Sequence, residues 1–410
     1  MKNESNSTEE TGTRNWRKEP VVGLRISITY RMRLLAFLAC TVLTLKLCFS
    51  FSLASNRLSA AQPCATKRSV FMLDDRQGSI ARGGARGWGS QVAQMSSGAP
   101  EGVQWDLELF SPCKINLFLR IIRKREDGFH DLASLFQTVG FGDTMRFKKL
   151  DGEACEDELT CNMPDVPVDS SNLVIKALDL WRERTGVRQF FRVDLDKRVP
   201  AQGGLGGGSG NCATAFFAAN ELCGAPAALG DLEAWSAELG SDITFFFSRG
   251  TCYCTGRGEV LHPQAPLPPS VCYLVKPEEG LSTPLVFKNL DYALLSPADP
   301  EEVLATFTGG GDRGLYGATY VNDLEPPAFK VMPALAELKA DLRAAGFPVV
   351  MMSGSGSTLF ALGEPAEEGA AGRLRGAWPG VDVWRSEFVQ RPDNDHLWYN
   401  QEVEYQPTGQ

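Results

Sequence analysis

A chain of 410 residues with 43% hydrophobic and 10% aromatic side chains can bury the cores of two ordinary domains, which excludes a disordered protein. The net charge of -9 is unevenly spread, with 14 Lys or Arg against 7 Asp or Glu in residues 1–103 and 27 against 43 in residues 104–410. A body so acidic argues against a nucleic-acid or anionic-membrane surface, which would want a basic face, so any phosphate it binds must be held by a local site.

The amino terminus reads as an address. Arg31 and Arg33 precede the apolar run Leu34 to Leu45, and Ser52, Leu53 and Ala54 supply small residues of a cleavage type, so residues 1–54 are expected to be a signal-like segment. Lys46 interrupts the run before it reaches the roughly 20 apolar residues of a membrane span, so no stable span is expected in the mature protein. Residues 55–103 are rich in Arg, Ser, Ala and Gly and poor in acids, as in an organelle transit segment, and are expected to be unstructured. The pair suggests two-step import into a plastid; a secreted protein with a pro-segment is the alternative. The eleven cysteines contain no CxxC pair and the chain has three histidines, which argues against zinc and for reduced or buried thiols.

The body opens with "LFSPCKINLFLRII", where Ile115, Leu117, Leu119 and Ile121 share one face of an expected strand and Lys114, Asn116 and Phe118 the other. A turn at Asp127 and Gly128 follows. "SSNLVIKALDLWRERTG" predicts a helix with Leu173, Ala177, Leu180 and Trp181 inward, stopped at Gly186. "FFRVDLDKRVP" predicts a strand running into a loop with six glycines in the eight positions from Gly203 to Gly210, and "SGNCATAFFAANELCG" a helix capped by Ser209 and stopped by Gly224. "LHPQAPLPPS" is the candidate linker between an amino-terminal domain over 104–262 and a carboxyl-terminal domain over 271–390. "PVVMM" and "VDVWRSEFV" predict strands in the second domain, and residues 391–410 are expected to be a polar tail.

A strand, glycine loop and helix in that order place free N–H groups and the positive end of a helix dipole around one point, which suits phosphate. Neither common pattern fits: no Lys follows the glycines as in GxxxxGK[ST], and from Gly204 and Gly206 the third glycine of GxGxxG would fall at Ser209. A flexible loop before a helix is the bland alternative. "LGSDITFFFSRG" sets Asp242 before an apolar run, an awkward place for a charge unless it caps a helix or is used. "MSGSGSTLFAL" adds a second small-residue loop from Ser353 to Thr358.

Taken together in this order and spacing, these stretches and "REDGFHDLASLFQ" resemble the galactokinase, homoserine kinase, mevalonate kinase and phosphomevalonate kinase (GHMP) superfamily. Within it they are most similar to the branch that phosphorylates a cytidine-diphosphate-linked methylerythritol in the non-mevalonate isoprenoid pathway. The resemblance covers roughly residues 106–390. It implies an α+β fold of two domains, the first like ribosomal-protein relatives and the second ferredoxin-like; periodicity alone supports mixed α and β. It implies ATP and Mg²⁺, small-molecule partners, no nucleic acid, and a plastid stroma location. Asp242 matches the catalytic aspartate and Lys114 the lysine beside it. Asn116, Phe129, His130, Thr283 and Phe287 match substrate contacts, with Phe129 and Phe287 expected on opposite faces of cytosine. Gly203, Gly204, Leu205, Gly206, Gly207, Gly208 and Ser209 match the ATP phosphate loop, Asn172 and Lys197 residues near the adenine, and Ser209 the hydroxyl nearest Mg²⁺. Phe129 replaces a frequent Tyr and Gly210 a frequent Ser, and Cys113 and Cys212 stand where Ala is common; none removes a catalytic group. Rival readings are another small-molecule kinase of the superfamily, acting on a mevalonate-like alcohol or homoserine, and a nucleotide-sensing protein that kept the fold.

Overall fold

The computed structural model describes residues 102–309, 314–366 and 369–400. The signal-like segment, all but the end of the transit-like segment and the last ten residues of the expected tail lie outside them.

Two long strands, β1 (Leu107–Lys124) and β2 (His130–Lys149), form an antiparallel ribbon around which the rest is built. Then come β3 (Glu158–Cys161), α1 (Leu173–Thr185), β4 (Phe191–Asp196), α2 (Gly207–Leu222), α3 (Leu229–Ser236), a 3₁₀ turn over Thr244–Phe247, β5 (Thr251–Thr255) and β6 (Val260–Pro263). These strands make a six-stranded sheet in the order β3-β4-β2-β5-β6, with β1 paired to β2. A four-stranded sheet, β10-β7-β9-β8, uses β7 (Val271–Lys276), β8 (Val349–Met352), β9 (Leu359–Leu362) and β10 (Asp382–Glu387). Between its strands run α4 (Thr283–Lys288), α5 (Pro300–Thr308), α6 (Glu325–Val331), α7 (Ala334–Ala344) and α8 (Ala370–Ala377). The chain leaves the first sheet at Pro263 and enters the second at Val271, across the proline-rich stretch.

The backbone of β1 pairs with β2 of the first sheet while its apolar side chains pack on the second. Ile115 and Leu117 pack with Leu274 and Phe360 of the second sheet, while Leu119 and Ile121 join a core with Val275, Leu335 and Leu342. Lys114, Asn116 and Phe118 are also buried, so from Phe110 to Ile121 this strand has no solvent face. The helix α1 begins at Asn172, whose side chain accepts from the Val174 N–H, and ends at Gly186 in the left-handed conformation, with Arg182 and Arg184 in its last turn. The second helix, α2, is apolar nearly all round, from Cys212 to Ala219, because it is enclosed by α1, α3 and the sheet.

Two expectations are corrected. Ser209 does not cap α2: the helix starts at Gly207, after Gly206 in the left-handed conformation, and no side chain bonds to its first N–H groups. The stretch after Arg391 is not simply a polar tail, since Trp398 and Tyr399 are buried against the first domain. Trp398 stacks on Phe217 at 4.6 Å and its indole N–H donates to Thr214 Oγ1 at 3.2 Å; two aromatic rings outweigh the polar residues around them.

Candidate active site

Asp242 is held by its neighbours. The sequence "DITFFF" buries Ile243, Phe245, Phe246 and Phe247, with Phe245 edge-on to Phe136 at 5.2 Å. Four apolar anchors fix the loop and leave the Asp242 side chain 37% exposed at its mouth. From β1, Lys114 reaches the same point: its Nζ lies 3.2 Å from Asp242 Oδ2, 2.8 Å from Asn116 Oδ1 and 4.3 Å from the centre of the Phe136 ring. The ammonium is only 4% exposed, so these three partners replace its water. Asn116 is oriented in turn by donating from Nδ2 to Ser134 Oγ at 2.9 Å.

The glycine loop packs against this cluster. Gly206, at φ +66°, leaves room for the Lys114 stem, which a Cβ would meet at 3.1 Å. At Gly204, φ +72°, a Cβ would overlap the Ser353 carbonyl oxygen and come within 3.1 Å of Gly356. The second small-residue loop is thus the partner of the first. The Ser353 hydroxyl donates to Gly204 O at 3.0 Å, and the Thr358 N–H donates to Gly203 O at 3.1 Å. The bare backbone is therefore needed first for loop-on-loop contact, and Gly208 is the glycine with open space, its nearest neighbour being Leu173 Cδ1 at 3.9 Å. Leu205 is buried as an anchor below the loop, and Gly207 lies against Val199.

Gly204, Gly206 and Ser209 share one cleft of about 740 Å³ with Lys114, Asn116, Asp242, Phe129, His130, Thr283 and Phe287. Its far end is aromatic. His130 stacks on Phe287 at 4.8 Å and 29°, so Phe287 backs the imidazole and does not stand across an open gap from it. Phe129 is 56% exposed, with the Arg257 guanidinium 5.2 Å from its ring centre. Partial burial, with the Lys124 charge as a second cause, lowers the His130 pKa below its ordinary value. Thr283 Oγ1 lies 2.8 Å from Ser355 Oγ, tying α4 to the second loop.

Asn172 and Lys197 are not among the cleft-lining residues. Both polar atoms of the Asn172 amide serve its own helix end, accepting from Val174 N and donating to Pro167 O. Lys197 is buried, 2.6 Å from Asp143 and 3.1 Å from Asn211 Oδ1, and supports the loop from beneath, where a Cβ on Gly207 would lie 3.3 Å from its Nζ. Sequence reasoning missed Arg257, Ser241 and Ser355, which line the same cleft. Arg257 had a signal: a lone cation between glycines in "TGRGE", shortly after Asp242. Cys113, Cys212, Cys254 and Cys272 are free thiols whose pKa burial pushes up, which makes them inert. Among the described residues no group of three or more His, Cys, Asp or Glu could hold a metal by itself, and no helix is long and apolar enough to cross a membrane.

Comparison with known proteins adds the following. The family descriptions "GHMP kinases N terminal domain" and "GHMP kinases C terminal" match residues 172–250 and 314–380. The chain is 51% identical over 264 residues to the chloroplastic 4-diphosphocytidyl-2-C-methyl-D-erythritol kinase of Oryza sativa subsp. japonica, covering 63% of this chain and 65% of that protein. It is 46% identical over 296 residues to the enzyme of that name from Protochlamydia amoebophila, covering 72% of this chain and 94% of the relative. A crystal structure of 4-(cytidine 5'-diphospho)-2C-methyl-D-erythritol kinase superposes with a TM-score of 0.59 at 34% identity, covering 69% of this chain and 99% of that one.

Proposed function

This chain belongs to the 4-diphosphocytidyl-2-C-methyl-D-erythritol kinases, within the GHMP kinases, and from that premise we propose that it transfers the γ-phosphoryl group of ATP to the 2-hydroxyl of 4-(cytidine 5'-diphospho)-2-C-methyl-D-erythritol. One observation carries the assignment of roles: Lys114 and Asp242, far apart in sequence, meet at 3.2 Å in the cleft that also holds the glycine loop and the His130 end.

Phosphoryl transfer asks the protein for positioning and charge more than for covalent chemistry. The N–H groups at the uncapped start of α2, with Ser209, take the ATP phosphates, in keeping with the absence of a side-chain cap there. The alcohol lies at Asp242. As its oxygen bonds to the γ-phosphorus and the bond from that phosphorus to the bridging oxygen breaks, ADP leaves with the bond pair and the hydroxyl proton passes to Asp242. Lys114 balances the carboxylate and, through Asn116, is kept from turning away. Phe129 and His130 receive the cytosine, Phe287 backs His130, and Thr283 contacts the substrate between the two ends.

Mg²⁺ fits as a partner of the nucleotide: the cleft offers the Ser209 hydroxyl and the Asp242 carboxylate, and an ion bound mainly by phosphates needs only one or two protein oxygens. Bound there, it would neutralise phosphate charge. Residues 104–262 and 271–390 are the two domains of this reading. A plastid location, in the stroma and reached through the leader, is in keeping with the chloroplastic plant relatives. ADP release by the full chain, measured with the cytidylylated methylerythritol, mevalonate and homoserine in parallel, tests the substrate: only the first should be turned over, and preference for either other alcohol would overturn the assignment.

A further inference from the structure

Tyr292 is absent from the family-derived roles, yet it touches the imidazole that the cleft presents. After α4 the chain makes a short 3₁₀ turn over Tyr292–Leu294, started by Asp291, whose side chain accepts from the Ala293 N–H at 3.0 Å. The Leu290 N–H donates to Phe287 O at 3.2 Å, so one tight segment carries Thr283, Phe287 and Tyr292. Phe287 covers a face of His130 at 4.8 Å, and Tyr292 Oη lies 2.6 Å from His130 Nε2. The two ring centres are 6.1 Å apart with planes only 20° from parallel, so the phenol meets the imidazole at its edge. His130 itself comes from the start of β2, behind a turn in which the Phe129 N–H donates to Asp127 Oδ1.

A ring held on one face and at one nitrogen has little freedom left. The 2.6 Å contact between Tyr292 Oη and His130 Nε2 can run either way, and because a neutral imidazole nitrogen is a better acceptor than a phenol oxygen and a phenol is a good donor, donation from the Tyr292 O–H to Nε2 is the favoured arrangement. In that arrangement the neutral ring carries its proton on Nδ1. We infer that Tyr292 is a positioning residue that clamps His130 and fixes its Nδ1–H tautomer, so that the base site selects a nucleobase offering an acceptor on its pairing edge. N3 of cytosine is such an acceptor, whereas uracil carries N–H at that position. This inference rests on the substrate reading above.

The test uses Tyr292→Phe, which keeps the ring and deletes the hydroxyl, beside Tyr292→Ala. Loss of one hydrogen bond predicts a rise of about three- to tenfold in KM for the cytidylylated substrate, with KM for ATP and the melting temperature unchanged in Tyr292→Phe. CMP should compete better than UMP with wild type, and that gap should narrow in the variant. The chain has three histidines, so ¹⁵N imidazole spectra can be assigned with His130→Gln, and the Nδ1 and Nε2 signals of His130 should change in Tyr292→Phe. Unchanged KM and unchanged ¹⁵N signals would overturn the inference, as would an equal rise in KM for ATP. Failure to turn over the cytidylylated substrate would instead remove the substrate reading, while the ¹⁵N spectra would still decide the hydrogen bond and its tautomer.

Discussion

Gly204→Ala probes the contact on which the nucleotide end of the cleft depends. The new methyl would overlap the Ser353 carbonyl oxygen, lie 3.1 Å from Gly356 N, and stand on a backbone at φ +72°. The left-handed conformation costs a non-glycine residue about 1–2 kcal/mol, and forcing a methyl into filled space about 1–3 kcal/mol more. A loss of roughly 2–5 kcal/mol corresponds, at about 2–4 °C per kcal/mol for a domain of this size, to a fall in Tm of roughly 4–20 °C. Gly208→Ala is the control, because its Cβ meets only Leu173 at 3.9 Å and alanine favours the helix by about 0.5–1 kcal/mol. Circular dichroism melts should show Gly204→Ala well below wild type and Gly208→Ala level with it or above. Because the displaced loop also carries the N–H groups assigned to phosphate, KM for ATP should rise at least about tenfold in Gly204→Ala, near the cost of one or two charge-assisted hydrogen bonds. A Gly204→Ala protein with wild-type Tm would refute the packing argument, and a lowered Tm with unchanged KM for ATP would separate the loop contact from nucleotide binding.

Other outcomes follow from the same geometry. Asp242→Asn should lower kcat by about 10²–10⁴ while ATP still binds by calorimetry; undiminished turnover would strip Asp242 of its role. Lys197→Met removes the partner of buried Asp143 and should cost about 3–5 kcal/mol in chemical denaturation, with a smaller rise in KM for ATP than in Gly204→Ala, since Lys197 lies beneath the loop and outside the cleft. Phe287→Ala should raise KM for the cytidylylated substrate about two- to tenfold, the value of one aromatic contact, and leave KM for ATP alone. His130 has its pKa lowered in the fold, so the unfolded chain binds more protons between the two values and this residue's contribution to stability is lost as pH falls below about 6.5. KM for the cytidylylated substrate should rise over the same acid range, and the rise should vanish in His130→Gln.

Local order was legible where one segment decides its own structure. The strand holding Lys114, the α1 helix between Asn172 and Gly186, and the strand, glycine loop and helix around residue 204 could be read because spacing, caps and glycines act over a few residues. The start of α2 was misread because Ser209 is a good cap in isolation, yet Gly206 can turn left-handed and begin the helix earlier. What the glycines touch was not legible, since their partner, Ser353, lies 149 residues away. The meeting of Lys114 and Asp242 came only from family resemblance; in the fold Phe136 lies against both, contacting the ammonium of one and Phe245 beside the other. The partner of Lys197 was hidden for a similar reason, as nothing near it in sequence reveals Asp143. Trp398 and Tyr399 were hidden by the polar residues around them.

The most direct measurement is the mass and ³¹P spectrum of the product made by the full chain from ATP, magnesium and the cytidylylated methylerythritol. One added phosphoryl group is expected, seen as a new monoester resonance beside an intact diphosphate, with at least about a hundredfold less of it formed by Asp242→Asn in the same time. Unmodified substrate under conditions where the chain phosphorylates another alcohol, or a phosphoryl group added by Asp242→Asn at the wild-type rate, would contradict it.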